Sequence, residues 1–276
     1  MNLTPDSFSD GGRFDGVDQA VAEALRLIDA GADLIDVGGE STRPGARAVS
    51  VEQELDRVIG VISALADRVA VPISIDTSKP EVMRAAVAAG ACLINDVRAL
   101  GAPGALEAAA DLAVPVVLMH MQGEPAGMQE APSYQDVVAE VQRFLAERVF
   151  ACEMAGIEKS RLLIDPGFGF GKTLEHNLAL LSRLNSLSDL QCPILVGLSR
   201  KRMIGEITGR AVSERAVGSA AAALIAVQHG AAVVRVHDVA ATRDALALWS
   251  AVAPLRAPRR QAPAAPRGSS RWAEDD

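Results

Sequence analysis

Residues 160–181 read SRLLIDPGFGFGKTLEHNLALL. The apolar run Leu162 to Asp165 ends in a carboxylate, opens into a glycine-rich loop and passes into a helix. Its positions are apolar without alternation, the mark of a parallel strand covered on both faces. The same unit recurs at LIDV (34–37), PISID (72–76), CLIN (92–95), PVVLMH (115–120), PILVGL (193–198) and AVVRV (232–236). Between the runs lie amphipathic helices, with Val17, Val21, Ala24, Leu25 and Ile28 on one face, and Val51, Leu55, Val58, Ile59, Ile62 and Leu65 on another. Ser50 with Gln53, and Ser78 with Glu81, read as capping boxes that start two helices. Gly31, Gly90, Gly156 and Gly230 each end a helix ahead of a strand, and Pro72, Pro115 and Pro193 open the strands between. An eighth strand must end at about Met1–Leu3, before the first helix. Strict alternation implies an α/β fold with a parallel sheet, and eight units in roughly 255 residues favour a closed (β/α)8 TIM barrel over an open sheet.

Composition sets the outer bounds. The 276 residues suffice for one domain, and aromatics are only 3%, so small and branched side chains must fill the core. A net charge of −8 argues against a broad nucleic-acid footprint, which needs a basic face. Cys92, Cys152 and Cys192 have no metal-site spacing and read as small buried residues in a reducing cytoplasm. The start of the chain carries no secretory pattern, and no apolar run reaches the roughly 20 residues that span a membrane. The barrel is expected over residues 1–255. Residues 256–276, RAPRRQAPAAPRGSSRWAEDD, read as a disordered tail, solvated rather than bound to an anionic partner.

What ends each strand carries the functional information. Asn2, Asp76, Asn95, His120, Asp165, Ser199 with Lys201, and Arg235 with His237 stand at or just past strand C-termini. In a barrel these ends converge on the rim that holds the active site. Asp76, Asn95 and Asp165 suit a heterocycle rich in N–H donors and ring acceptors. Lys201, Arg235 and His237 come from the last two strands, where barrels often bind phosphate. GFGFGKT (167–173) resembles a P-loop only loosely, because the first glycine of that motif would fall on Pro166. It reads instead as a loop of close approach, with Phe170 as an apolar wall. TPDSFSDGG (4–12) and GGESTRPG (38–45) follow the first two strands and read as lids over the rim.

TPDSFSDGG, GGESTRPG, SIDTSKP, IND, DPGFGFGK, SRK and RVHD, in this order, resemble the signature regions of dihydropteroate synthases over residues 2 to about 253. The resemblance implies a transferase of folate synthesis that joins 6-hydroxymethyl-7,8-dihydropterin diphosphate to p-aminobenzoate, giving 7,8-dihydropteroate and diphosphate. It assigns Asp76, Asn95 and Asp165 to the pterin edge, Lys201 to the ring and Arg235 to a stack over it. Thr42, Arg235 and His237 are assigned to the diphosphate, and Asn2 to Mg²⁺ as the cofactor. Phe8, Arg43, Pro44, Phe170, Ser199 and Lys201 would shape the p-aminobenzoate pocket, which sulfonamides also occupy, and Asp10 would stabilise a developing pterin cation. A cytoplasmic homodimer is expected from the same resemblance. Family members usually carry further residues before the Asn-x-Thr-Pro-Asp motif, so strand one is expected to be a stub here. The rival readings are a pterin-dependent methyltransferase barrel, which has no need of the SRK and RVHD anion groups, and a pterin-binding protein without turnover. Phe8, Thr42, Arg43 and Pro44 match a sulfonamide-sensitive pattern.

Overall fold

The computed structural model describes residues 1–3, 13–41, 48–123, 127–129 and 131–253. Seven short strands form one parallel sheet in sequence order: β1 (Ile35–Gly38), β2 (Ile73–Asp76), β3 (Leu93–Asp96), β4 (Val116–Met119), β5 (Leu162–Asp165), β6 (Ile194–Val196) and β7 (Ala231–Val234). Asn2 adds an isolated parallel bridge to Gly38, so Met1–Leu3 lies along β1 where the eighth strand was expected. Helices α1 (Arg13–Asp29), α2 (Val51–Ala66), α3 (Pro80–Ala88), α4 (Ala105–Leu112), α5 (Val137–Met154), α6 (Leu174–Ser182), α7 (Arg202–Thr208), α8 (Ala216–Gln228) and α9 (Val239–Val252) connect and cover the strands. The sheet curls on itself, and Arg235, just beyond β7, hydrogen-bonds Asp36 on β1. The chain is a (β/α)8 barrel, and among the described residues no helix is long and apolar enough to cross a membrane.

Period-two alternation separates the two faces of each strand. Asp76 and Asn95 line the mouth of the barrel, while their neighbours Ile75 and Ile94 are fully buried in the layer that also holds Ile62 and Leu65 of α2. Every residue of β2 and of β4 is buried, as expected for strands covered on both faces. Burying each large aliphatic side chain contributes roughly 1.5–3 kcal/mol, and this helix–strand layer is where most of the fold's stability resides.

Two local expectations need correction. Ser50 and Gln53 do form a capping box at α2. Ser78 does not cap α3: Lys79 is the N-cap residue without a side-chain bond, Pro80 opens the helix, and the Ser78 hydroxyl donates to Asp96 instead. The proline at the first helical position pre-sets the helical φ and fixes the cap at Lys79, which leaves Ser78 one residue outside the helix and free to serve the strand end. Cys92 is exposed rather than buried, because it stands in the turn between α3 and β3, whereas Cys152 and Cys192 are buried. The expected tail lies outside the described residues.

Candidate active site at the barrel mouth

Parallel register sets Asn2, Gly38, Asp76 and Asn95 in one row across four neighbouring staves. Side chains in one row share a face, so two amides and a carboxylate stand nearly side by side. Asp36 lies two residues before Gly38 and shares that face. Arg235 closes the group: its Nε donates to Asp36 Oδ2 at 2.6 Å and its Nη2 to Asp76 Oδ2 at 3.1 Å. Asn95 Nδ2 donates to the same Asp36 oxygen at 3.3 Å. Burial alone would raise the Asp36 carboxyl, but the Arg235 charge, the N-terminal charge and the hydrogen bonds it accepts together outweigh burial and hold the group below the ordinary carboxylate range. Asp76 moves the other way, pushed up to about 7 by burial and then by the charge of Asp36. The Asp36 charge in turn holds Arg235 above its ordinary value.

Asp165 ends β5 and is 6% exposed. Its Oδ1 accepts the Gly167 N–H at 2.7 Å, and burial pushes the carboxyl up to about 6. The loop that follows is held from within. Lys172, 3% exposed, turns its ammonium back to the carbonyls of Gly167 (2.9 Å) and Phe170 (3.0 Å) and to His120 Nδ1 (3.0 Å). Gln129 donates to the Gly169 carbonyl, and the Tyr134 hydroxyl to that of Gly171 at 2.8 Å. Four of the loop's N–H groups are also engaged, Gly167 with Asp165, Gly169 with Asn177, Phe170 with the Gly167 carbonyl and Thr173 with His176. A phosphate cradle needs those donors free, so the segment is not one. Gly167 is required twice over, since its φ is +68° and a Cβ would fall 1.9 Å from the His120 carbonyl oxygen. Burial lowers Lys172 to about 7, and burial with the nearby Lys172 charge lowers His120 to about 3. The two phenylalanines divide: Phe168 is 1% exposed in the core, while Phe170 faces the site.

Lys201 Nζ sits 4.1 Å from the centre of the Phe170 ring, a cation–π geometry, and burial lowers its ammonium to about 8. A Cβ at Gly169 would lie 3.1 Å from Lys201 Cδ, so the glycine lets the lysine pass. Ser199 Oγ accepts the His237 N–H at 3.1 Å and lies 3.1 Å from His237 Nδ1. Burial, then the Arg235 charge, lowers His237 to about 4, so the imidazole is neutral at physiological pH.

The structure therefore brings Asp76, Asn95, Arg235 and Asn2 together on one side, and Phe170 with Lys201, and Ser199 with His237, around the same mouth. Phe8, Asp10, Thr42, Arg43 and Pro44 lie outside the described residues. The residues flanking 42–47 are tied together, because Glu40 accepts the Val49 N–H at 3.2 Å and pairs with Lys79, which also binds the buried Glu54. Asp36 and Lys172 were not singled out from the sequence. Asp36 carries one signal, a charge inside an apolar run on the face shared with a strand end. Among the described residues no three His, Cys, Asp or Glu converge on a metal. Asn2 offers one hard oxygen, which suits an ion that brings its other ligands with a phosphate and water.

The family model for pterin binding enzymes matches residues 1–237. The chain is 57% identical over 246 residues to the dihydropteroate synthase of Escherichia coli (strain K12), covering 89% of this chain and 87% of that protein. Among solved structures, it resembles Xanthomonas albilineans dihydropteroate synthase with 4-aminobenzoic acid at 64% identity and a TM-score of 0.87, covering 91% of this chain and 90% of the other. It also resembles the same organism's enzyme in complex with 7,8-dihydropteroate, at 61% identity and a TM-score of 0.83, covering 91% of both chains. With the acceptor row, the basic groups opposite it and these likenesses together, the chain belongs to the dihydropteroate synthase family of pterin-binding enzymes.

Proposed function

We propose that this chain condenses 6-hydroxymethyl-7,8-dihydropterin diphosphate with p-aminobenzoate, releasing diphosphate and forming 7,8-dihydropteroate for folate synthesis. The observation that carries the reading is the pairing of Asp76, Asn95 and Asp165, buried at the barrel mouth, with Lys201, Arg235 and His237 on the same rim. Relatives solved with 4-aminobenzoic acid and with 7,8-dihydropteroate support it.

Asp76 and Asp165 accept the pterin N–H groups, and Asn95 both donates and accepts along the same edge. Lys201 meets the ring and Arg235 stacks over it. The C–O bond to the diphosphate breaks with its electron pair on the leaving oxygen. Arg235 and His237, with Thr42 by the same assignment, stabilise that growing charge. Asn2 would hold a Mg²⁺ ion, which would supply further neutralisation of the leaving group. Asp10 is assigned the stabilisation of the electron-poor pterin methylene. Phe8, Arg43, Pro44, Phe170 and Ser199 orient p-aminobenzoate so that its neutral amine forms the new C–N bond and loses its proton to solvent or to the released diphosphate. No covalent enzyme intermediate is required.

The same reading places the protein in the cytoplasm as a homodimer. The free thiols and the apolar side chains of Val217, Ile225, Leu248 and Val252, exposed on the packed pair α8 and α9, support it. Sulfonamide inhibition tests the aryl half of the site. Inhibition competitive with p-aminobenzoate is expected, and an unchanged rate with the sulfonamide well above the p-aminobenzoate concentration would count against the assigned pocket.

A further inference from the structure

Arg200 is not glycine and yet has a φ of +57°, as Ala99 and Leu100 do in the loop after β3, at +51° and +57°. A side chain in the left-handed region costs energy and persists only where its surroundings hold it. Three side chains hold this one. Arg200 N donates to Ser219 Oγ at 2.9 Å, and Arg215 Nη1 reaches the carbonyls of Arg200 (3.2 Å) and Lys201 (3.3 Å). The Arg200 guanidinium forks onto Asp238, Nε to Oδ2 at 2.9 Å and Nη2 to Oδ1 at 2.6 Å. The arrangement is built in depth: a Cβ on Gly205 would fall 2.0 Å from Arg215 Nη2, so that helix position is left bare for the arginine.

The position of the pair in the chain gives it its meaning. Arg200 stands between Ser199 and Lys201, and Asp238 directly follows His237. One fork therefore joins the loop after β6 to the loop after β7, and these loops carry the groups assigned above to the aryl amine, the pterin ring and the diphosphate. A bidentate arginine–carboxylate pair fixes angle as well as distance. With side-chain exposures of 36% and 16% the pair is partly open to solvent.

We infer that Arg200 and Asp238 are a positioning pair that sets Ser199 and Lys201 in register with Arg235 and His237, so that the amine, the pterin and the leaving diphosphate line up. The inference rests on the functional reading above. Neither residue touches substrate in this account; both act through their chain neighbours. The pterin grip of Asp76, Asn95 and Asp165 comes from other strands and does not depend on the pair.

The test uses Arg200→Gly, Asp238→Asn and the double variant of the full chain. Glycine accepts the left-handed backbone, so Arg200→Gly removes the fork while relieving the strain. Expected results are a melting temperature close to that of the wild type, affinity for 6-hydroxymethylpterin within about threefold, and a kcat for condensation lowered on the order of 10- to 100-fold, the scale of a small misalignment. The double variant should lose no more than the worse single variant, because the pair acts as a unit. A folded Arg200→Gly protein that keeps its kcat, or single losses that multiply in the double variant, would overturn the inference alone. A wild-type chain that forms no dihydropteroate would overturn the functional reading, and this inference with it.

Discussion

Arg235 and Asp36 stand 199 positions apart in the chain, and the Nε of one meets the Oδ2 of the other at 2.6 Å. This single bond joins the last strand of the sheet to the first. It also orients the guanidinium at the mouth, because its other arm reaches Asp76 at 3.1 Å. Asp36 is 10% exposed and Arg235 34%, so the pair is neither fully desolvated nor a surface pair.

Replacing Asp36 by Asn is therefore expected to cost about 1–3 kcal/mol of unfolding free energy, below the cost of breaking a fully buried pair because solvent screens part of the charge. The substitution also removes the neighbouring charge that helps to raise Asp76, so the Asp76 carboxyl should titrate lower. Urea unfolding and carboxyl NMR titration check the two effects. An unchanged stability with an unmoved Asp76 would show that the pair is incidental.

Binding of a pterin without its diphosphate should strengthen as pH rises from about 5 to 8 and then level. In the free protein Asp76 titrates at about 7 and Asp165 at about 6, and the ring N–H groups need ionised acceptors. Binding in this window should therefore release protons. The linked effect on the unliganded fold has the opposite sign. Carboxylates raised above their unfolded value of 3.8 favour the folded state fully below that pH, and the contribution is lost as pH climbs through 6 to 7. Calorimetric titration in buffers of different ionisation enthalpy measures the binding effect, and a flat pH profile would refute it.

The two phenylalanines of the glycine-rich loop should separate in experiment. Phe168→Ala opens a cavity at a position 1% exposed and is expected to cost about 3–5 kcal/mol of stability. Phe170→Ala loses its contact with Lys201, worth about 0.5–1 kcal/mol, and should instead raise KM for p-aminobenzoate at nearly constant melting temperature. Thermal melts with steady-state kinetics decide between these outcomes and the reverse assignment.

Lys172→Met removes the donor shared by the Gly167 and Phe170 carbonyls and should destabilise the fold by about 1–3 kcal/mol at neutral pH. Because burial lowers the folded lysine to about 7 from 10.5, the wild type gives up stability as pH falls from 10.5 to 7. The variant lacks this term, so its deficit should be greatest near pH 10 and shrink toward pH 7. Chemical denaturation across that range measures the difference, and a deficit that does not change with pH would contradict the assignment.

Much of this site was legible in the sequence because barrel geometry turns strand ends into neighbours. Asp76, Asn95, Asp165, Ser199, Lys201, Arg235 and His237 each follow a short apolar run, and the structure gathers them. What stayed hidden depends on long-range partners. Asp36 looks like an odd charge within a strand until Arg235 arrives from the far end of the chain. Lys172, in a loop ending Gly-Lys-Thr, suggests a phosphate ligand, yet it points inward because the loop's carbonyls need a donor. Ser78 has the spacing of a cap, but the helix starts one residue later, with Lys79 at the cap position, and Asp96 claims the hydroxyl. Spacing alone does not distinguish Phe168 from Phe170; only the packing beneath the loop does.

The most direct test of the account is dihydropteroate formation by the purified chain with Mg²⁺, 6-hydroxymethyl-7,8-dihydropterin diphosphate and p-aminobenzoate, run beside Asp165→Ala. The account predicts product that requires Mg²⁺ and falls at least about a hundredfold in the variant, the loss expected when a buried, hydrogen-bonding anchor of the substrate is removed. A folded wild-type chain that binds the pterin diphosphate without forming product, or a variant as active as the wild type, would contradict it.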